Sequence, residues 1–369
     1  MNAEELLSKS HEMDASDIIL KVGSPPLFKI HGDLRAVSED KLDPDRITHL
    51  IKQVTSDGLF SKFERDLELD MAYELPGKCR FRVNVFRQRG SNAMVLRRIP
   101  VEIPSCDDLR LPEICKSFAM RPRGLVLVTG PTGSGKTTTL AALVRHRNEN
   151  EECHIVTIED PIEYIHKDIK ALVNQRQIGP DTVSFARALK SVLRQDPDVI
   201  LVGEMRDLET IALTITAAET GHLALATLHT SSAVQTIDRI IDVFPPHQQE
   251  QIRMQLSVNL IGVMSQMLLK RMDGRGRVAA FEIMVATPAV RNLIREGKTF
   301  QLFQILQTGS AHGMVTMNKS LANLVNDRLV TLEEAMSKSP DPNELKQMVG
   351  RAPTGYNLLE GVKARAGEA

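Results

Sequence analysis

The chain has 369 residues, of which 42% are hydrophobic and 25% charged, and its formal net charge is −1 at pH 7. This balance is ordinary for a globular protein and excludes an overall electrostatic attraction to nucleic acid or to an anionic membrane. Because of this charge balance, we expect no direct nucleic-acid partner. No apolar run approaches the roughly 20 residues that span a bilayer, so we expect membrane contact only through other proteins.

Residues 1–98 show the pattern of a small α+β domain. Residues 80–86 alternate between apolar and polar side chains, which predicts a strand that is buried on one face and carries Arg82 on the other. The spacing of apolar residues over 44–62 predicts an amphipathic helix. Two prolines and two adjacent aspartates in 99–111 predict a linker to a second domain.

Residues 112–340 are predicted to form an α/β core with a helical C-terminal part. Four apolar runs separated by helical segments predict a parallel sheet that is covered on both faces. The apolar residues from Ile252 to Met267 step at helical intervals and predict one long helix. Residues 341–369 are polar and contain proline and glycine, so we expect this tail to be loosely ordered. The predicted strands are 124–129, 154–158, 199–202 and 223–227.

A short amphipathic helix is predicted near residue 290. Thr287 and Pro288 match the start of a helix, and Gly297 matches its end. Arg291 and Arg295 are four residues apart and are predicted to point outward together. They are interpreted either as ordinary surface or as a contact that transmits motion.

Residues 130–137 read Gly-Pro-Thr-Gly-Ser-Gly-Lys-Thr and match the phosphate-loop pattern G-x-x-x-x-G-K-[ST]. A predicted strand precedes the loop and a predicted helix follows it, which favours phosphate binding over a chance glycine-rich turn. The loop N–H groups and the helix N-terminus would surround the phosphates. Lys136 is predicted to reach the β- and γ-phosphates, and Thr137 to bind Mg²⁺. The predicted nucleotide-binding residues are Gly130, Pro131, Thr132, Gly133, Ser134, Gly135, Lys136, Thr137 and Thr138.

Hydrolysis needs a carboxylate near the γ-phosphate, and two candidates follow predicted strands. Glu204 follows an apolar strand as in a Walker B element, but Gly203 stands where an Asp that binds Mg²⁺ is often found. We therefore expect Thr137, the phosphates and water to hold the metal, with Glu204 acting through water. Glu163 is predicted to be the general base or to position the attacking water, with Glu204 supporting it. The sequence does not rank the two, and a solvated acid is the alternative at each position.

Two histidines and two arginines are further candidates. His222 and His229 bracket the predicted strand 223–227, so a γ-phosphate sensor or an interface role is weighed against an ordinary structural role. Arg82 lies on the polar face of its strand, and Arg97 ends the next one. Because phosphoryl transfer develops negative charge that a guanidinium can neutralise, either arginine could close over a nucleotide held by the second domain. A solvated strand face is the alternative.

These residues together resemble the secretion-ATPase superfamily of type II secretion and type IV pilus systems. Four blocks carry the match: 130–138 as Walker A, 158–164 as the Asp box, 196–207 as Walker B and 220–230 as the His box. Residues 288–296 resemble a signature of the branch that retracts pili, with Val290 where isoleucine is usual.

The resemblance implies an ATP-hydrolysing motor that retracts type IV pili and supports twitching motility. It implies ATP as the nucleotide, a PAS-like first domain, a RecA-like second domain and a homohexameric ring. It also implies a cytoplasmic location at the inner face of the cytoplasmic membrane, with an inner-membrane pilus platform protein as partner and a PilU-like ATPase as a further candidate partner. The site residues implied are Glu163 and Glu204 as catalytic carboxylates, Arg82 and Arg97 as nucleotide contacts, and His222 and His229 as sensors.

Three alternatives remain open within this interpretation. The first is an accessory, PilU-like retraction ATPase. The second is an assembly or secretion ATPase, although those typically carry two C-x-x-C pairs and none of the four cysteines here forms one. The third is an adaptor that binds nucleotide without hydrolysing it, which the two acidic sites disfavour.

Overall fold

The chain forms two compact units in the computed structural model. One unit comprises the residues up to 105 together with 144–203, and the other comprises 106–143 together with the chain from 204. The domain bounds predicted from the sequence stay a prediction. The structure describes residues 2–30, 33–76, 78–99 and 102–349.

The first hundred residues combine helices with an antiparallel sheet. The elements are α1 (Ala3–Glu12), β1 (Asp17–Lys21), β2 (Leu27–Ile30), β3 (Asp33–Ala36), α2 (Pro44–Val54), α3 (Asp57–Asp66), β4 (Glu68–Leu75), β5 (Cys79–Gln88) and β6 (Ser91–Ile99). The strand order is β3-β2-β1-β6-β5-β4, and each neighbouring pair is antiparallel. Phe81, Val83 and Val85 of β5 are fully buried, as their alternation predicts.

Helices and strands alternate through the middle of the chain. The elements are α4 (Glu113–Ala119), β7 (Gly124–Thr129), α5 (Lys136–Asn150), β8 (His154–Glu159), β9 (Leu172–Gln177), α6 (Phe185–Val192), β10 (Val199–Val202), α7 (Leu208–Glu219), β11 (Leu223–Leu228) and α8 (Ala233–Asp242). In the first unit β8 pairs in parallel with β10 and β9, and in the second unit β7 pairs in parallel with β11. β7, β10 and β11 are buried along their whole length, which explains their unbroken apolar runs.

The C-terminal part joins two long strands to a group of helices. The elements are α9 (Pro246–Asn259), β12 (Leu260–Lys270), β13 (Arg277–Val285), α10 (Pro288–Arg295), α11 (Leu302–Thr308), α12 (Met317–Asn326), α13 (Leu332–Lys338) and α14 (Pro342–Met348), with 3₁₀ helices at Thr299–Gln301 and Gly309–His312. β12 pairs in parallel with β7 and antiparallel with β13. In the described part of the chain, no helix has the length and apolar character required to cross a bilayer.

The long helix predicted from Ile252 to Met267 is wrong in its second half. The helix ends at Asn259, and the residues that follow form β12. β12 lies between β7 and β13 and is buried on both faces through its first seven residues. An apolar run that is buried on both faces matches a helical period as well as a strand period, so spacing alone could not separate the two.

The loose order predicted for the tail is not met over its first residues. Asp341 caps α14, since its side chain accepts from the N–H groups of Asn343 and Glu344, and Pro342 occupies the first turn. Leu345 is fully buried in a cluster with residues of β12, β13, α12 and α13. The remainder of the predicted tail, 350–369, lies outside the described residues.

We predict that Leu345→Ala lowers the free energy of unfolding by about 2–4 kcal/mol, because it removes a fully buried side chain and leaves a cavity. The exposed neighbour Lys346 supplies a matched control, and Lys346→Ala should change stability by less than about 0.5 kcal/mol. Urea unfolding followed by circular dichroism would measure both. Equal stability of the two variants would mean that α14 does not pack on this cluster.

The loop after β7 lies close to the backbone of β12. Gly130 has φ +146°, and a Cβ at this position would lie 2.3 Å from the main-chain oxygen of Gln266 and 2.6 Å from Oγ of Ser134. Gly133 has φ +76°, but no atom lies within 4 Å of its Cβ position. Both glycines therefore relieve backbone strain, and Gly130 in addition permits the close approach to β12.

Gly130→Ala is expected to destabilise the protein by several kcal/mol more than Gly133→Ala. The Gly133 variant should show only the left-handed backbone penalty of about 1–2 kcal/mol, whereas the Gly130 variant also collides with a backbone atom that cannot rotate away. Chemical unfolding of the two variants side by side measures the difference. Equal losses would refute the close packing of the loop on β12.

Candidate active site

The predicted order of strand, loop and helix is present around residues 130–137. β7 ends at Thr129, and α5 begins at Lys136. Gly133 and Gly135 have φ values of +76° and +91°, a backbone region in which residues other than glycine are strained. This conformation turns the chain sharply into the N-terminus of a 15-residue helix, where the helix dipole favours an anion.

Lys136 points back over the loop that precedes it. Its Nζ donates to the carbonyl oxygens of Gly130 at 2.9 Å and Pro131 at 3.1 Å, and it lies 3.5 Å from Nδ1 of His229. The side chain is largely buried. Because an ammonium group can only donate, Nδ1 of His229 acts as the acceptor in this contact.

His229 joins the loop to Glu204. Its Nε2 lies 3.0 Å from Oε1 of Glu204. Since Nδ1 accepts from Lys136, the ring proton of a neutral His229 resides on Nε2 and is donated to the carboxylate. Met205 N–H donates to the carbonyl of Thr227 at 3.1 Å, which holds the Glu204 segment beside the end of β11, where His229 lies. One imidazole thus contacts both the phosphate-loop lysine and the candidate catalytic acid.

Glu204 also accepts a hydrogen bond from Arg206, with Nη2 and Oε2 2.7 Å apart. Partial burial raises the pKa of Glu204, but the Arg206 hydrogen bond, the positive charges of Arg206 and Lys136 and the neighbouring His229 outweigh it, so the pKa lies below its ordinary value. The carboxylate is therefore ionised at neutral pH. A weakly basic carboxylate is better suited to orienting water or stabilising charge than to removing a proton. Arg206 was missed in the sequence, although it stands only two residues after Glu204.

Few side chains near the loop are candidates to bind Mg²⁺. Within the described ranges, no group of three or more His, Cys, Asp or Glu side chains is arranged to hold a metal ion. Mg²⁺ commonly keeps several waters and takes only one or two protein ligands besides nucleotide phosphates. The Thr137 hydroxyl at the start of α5 fits such a site, and Glu204 fits a role through water.

In the first unit, the acidic turn after β8 is organised by Glu159. Its buried carboxylate accepts from Thr157 Oγ1 at 2.6 Å and from Gln175 Nε2 at 3.1 Å, and from the backbone N–H of Glu163. Burial raises the pKa of Glu159, and the negative charge of Glu163 raises it further, while these hydrogen bonds oppose the rise. Glu159 therefore positions the half-buried Glu163, which stays the predicted water-positioning group.

Arg82 and Arg97 lie opposite each other on β5 and β6. Arg97 is also opposite Asp17, and its Nε lies 2.8 Å from Oδ1 of that carboxylate. Burial raises the pKa of Asp17, but the hydrogen bonds from Arg97 and Ser16 overcome this and lower it. Two arginines opposite each other repel, and the Asp17 carboxylate offsets the charge of Arg97, so an anion placed against this pair would relieve the repulsion. Their contact with nucleotide stays a prediction.

His222 is not brought to the Lys136–Glu204 site. It precedes β11, whereas His229 follows it, so the strand separates them by roughly 20 Å. The Nδ1 of His222 lies 2.9 Å from the carbonyl oxygen of Ala217 and 3.2 Å from Oγ1 of Thr220. These contacts fit a structural role within this unit, and a sensor role for His222 stays a prediction that the described contacts do not favour.

Arg291 does not point outward as predicted. Its Nη1 donates to the carbonyl oxygens of Ser257 at 2.8 Å and Val258, and its Nε donates to the carbonyl of Ala286 at 2.9 Å. The last carbonyls of a helix have no partner within the helix, and a guanidinium satisfies them at the end of α9. Arg291 therefore fastens α10 to the junction of α9 and β12. Spacing along α10 gave no signal for this contact, because the partner carbonyls belong to a distant segment.

Comparison with known proteins identifies the family. Residues 7–337 match the family described as type II/IV secretion system protein. The type IV pilus retraction ATPase PilT of Pseudomonas aeruginosa is 49% identical over 342 residues, which cover 93% of this chain and 99% of the relative. The type IV pilus ATPase PilU of the same organism is 41% identical over 349 residues, which cover 95% of this chain and 91% of the relative.

A solved structure gives the same result at the level of the fold. The crystal structure of the pilus retraction motor PilT with bound ADP superposes with a TM-score of 0.88 at 47% identity, covering 94% of this chain and 99% of the other. The α/β fold with a helical C-terminal part that the sequence predicts is confirmed. The predicted resemblance is confirmed as well: the chain belongs to the type II/IV secretion system protein family.

Proposed function

We propose that this chain is an ATP-hydrolysing motor that retracts type IV pili and thereby drives twitching motility. The PilT relative, 49% identical over nearly its whole length, supports this function, and the sequence-based prediction of a pilus retraction ATPase is confirmed at that level. The ADP in the PilT structure supports nucleotide as the ligand of this chain. We further propose that residues 130–138 bind it as ATP.

The contact that carries the mechanism is the link from Lys136 through His229 to Glu204. When ATP enters the loop, its phosphate oxygens would replace the carbonyls of Gly130 and Pro131 as acceptors for Lys136. The Lys136–His229 contact would then loosen while His229 still donates to Glu204. His229 would in this way report to Glu204 that the loop holds a triphosphate.

The chemical step then depends on placing water against the γ-phosphate. Glu204, held ionised by Arg206, would orient that water and stabilise developing charge, and Glu163 is proposed as a second water-positioning carboxylate. Mg²⁺, bound by the Thr137 hydroxyl, phosphates and water, would neutralise phosphate charge when present.

The mechanical step is proposed to use a homohexameric ring. The Arg82–Arg97 pair, in which Asp17 offsets the charge of Arg97, would meet phosphates at a nucleotide site of the ring, so that ATP binding closes the ring and hydrolysis reopens it. We propose an inner-membrane pilus platform protein as the partner that receives this motion. The corresponding location is the cytoplasmic face of the inner membrane, and a PilU-like ATPase is a further candidate partner.

An accessory PilU-like role is the second candidate. The 49% identity to PilT, compared with 41% to PilU, favours the main retraction motor. An assembly ATPase is disfavoured because the sequence contains no C-x-x-C pair. A nucleotide-binding adaptor without hydrolysis is disfavoured by the ionised Glu204 beside the loop lysine.

His229→Ala is expected to lower the rate of ATP hydrolysis by about 10²-fold or more, since it removes the group between the loop and Glu204, while ATP affinity changes by only a few-fold. His222→Ala provides the matched comparison, and its smaller effect on hydrolysis should follow from its place at the other end of β11. Single-turnover hydrolysis and fluorescent-nucleotide binding measure the two quantities. If His222→Ala impaired hydrolysis more than His229→Ala, the proposed link would be refuted.

In cells, Glu204→Gln should leave pili assembled but not retracted, because the variant keeps its phosphate loop and loses the negative charge at the site. Excess surface pili without twitching is the expected phenotype, scored by electron microscopy and by motility on agar. Lys136→Ala should behave alike, and the exposed Lys346→Ala serves as the matched control with normal motility.

Two cellular outcomes would contradict this proposal. Normal retraction in the Glu204→Gln strain would remove Glu204 from the mechanism. Loss of surface pili in the Lys136→Ala strain would indicate an assembly motor instead.

A further inference from the structure

Gln266 lies on β12 beside the phosphate loop. The register of β12 and β7 places Ser265 opposite Thr129, so Gln266 is level with Gly130 at the start of the loop. Gln266 is 2% exposed. A polar side chain that is so deeply buried needs hydrogen-bond partners for both ends of its amide.

One end of that amide is committed to the loop. Nε2 of Gln266 donates to the carbonyl oxygen of Ser134 at 2.7 Å. A backbone carbonyl can only accept, so the nitrogen must face Ser134 and Oε1 must face away from it. Among the residues that the structure describes, Oε1 is buried and has no hydrogen-bond partner. A buried acceptor without a donor is costly, and it points to a ligand that supplies one.

Gln266 also lines a cavity of ≈ 320 Å³ beside the loop. This volume falls in the range of small-molecule sites. Gly135, Thr138 and Thr139 form the side that belongs to the phosphate loop and α5, and Leu268, Val278 and Phe281 form an apolar side on β12 and β13. Because the cavity borders both the loop and the first turn of α5, a nucleotide with its phosphates on the loop would have its nucleoside part within reach of this cavity.

We propose that Gln266 is a specificity-determining residue that accepts, through Oε1, a hydrogen bond from the nucleoside part of ATP. This inference rests on the proposed nucleotide-binding function. The donor is a ribose hydroxyl or the 6-amino group of adenine, which share the chemistry that the orphaned Oε1 requires. Guanine offers an acceptor at the position of that amino group, so a contact there would also exclude GTP.

The amide therefore has two separate effects on nucleotide binding. Its Nε2 holds the loop at Ser134, which affects every nucleotide triphosphate alike. Its Oε1 affects only those nucleotides that carry the donor. The ratio of affinities between ATP and an analogue that lacks one donor isolates the second effect, because any general weakening of the loop cancels in the ratio.

The test measures dissociation constants by isothermal titration calorimetry on the full chain, under conditions in which ATP is not hydrolysed. The probes are ATP, 2′-deoxy-ATP, 3′-deoxy-ATP and purine riboside triphosphate, which lacks the 6-amino group. The wild type should bind ATP about 10-fold more tightly than one of these analogues, and the affected analogue identifies the donor. In Gln266→Met, which keeps the side-chain length, ATP and that analogue should bind within two-fold of each other.

Gln255→Met is the matched control, because Gln255 lies on α9 and bonds Glu219 instead of the loop, and it should keep the wild-type ratio. Equal wild-type affinities for all four probes, or a wild-type ratio preserved in Gln266→Met, would overturn the proposal while ATP binding remained intact. The comparison of the four probes on the wild type needs no variant, so it does not depend on the folding of Gln266→Met. A wild type that bound ATP no better than Lys136→Ala does would overturn the proposed nucleotide site as well.

Discussion

The close approach between β12 and the phosphate loop is the constraint on which the rest of the site depends. Gly130 meets the main-chain oxygen of Gln266 so closely that no side chain fits between them. The Gln266 amide then fixes the loop again at Ser134. Contacts with β12 thus fix the conformation of the loop, and the loop's own glycines permit the backbone angles that this conformation requires. A rigid loop matters because it sets the position from which Lys136 reaches His229.

In the link from Lys136 through His229 to Glu204, the hydrogen-bonding role of each group is fixed by its chemistry. The ammonium can only donate, the carboxylate can only accept, and a neutral imidazole fits between them in a single tautomer. Arg206 completes the arrangement from the other side of Glu204. The resulting pKa lies below the ordinary value and keeps Glu204 ionised. An ionised carboxylate fits the role expected of Glu204, which is to act through water.

The sequence predicted correctly those features that depend on residues close together in the chain. The phosphate loop, the buried strands around it and the N-cap of α10 at Thr287 follow from residues adjacent in the chain. Contacts between distant segments could not be predicted in this way. Arg291 caps α9, and Gln266 supports the loop, yet both look ordinary within their own elements. His222 and His229 bracket β11 alike in the sequence, but because β11 is parallel to β7, only His229 lies at the sheet edge where β7 leads into the loop. The helix expected to continue to Met267 failed because β12 is buried on both faces.

Arg291 anchors α10 close to the strand that also supports the loop at 130–137. Its guanidinium joins α10 to the last carbonyls of α9, just where the chain enters β12. Six residues into that strand, Gln266 holds the loop. β12 pairs with β7 on one side and with β13 on the other, so its backbone hydrogen bonds fix the positions of both the α9 junction and Gln266.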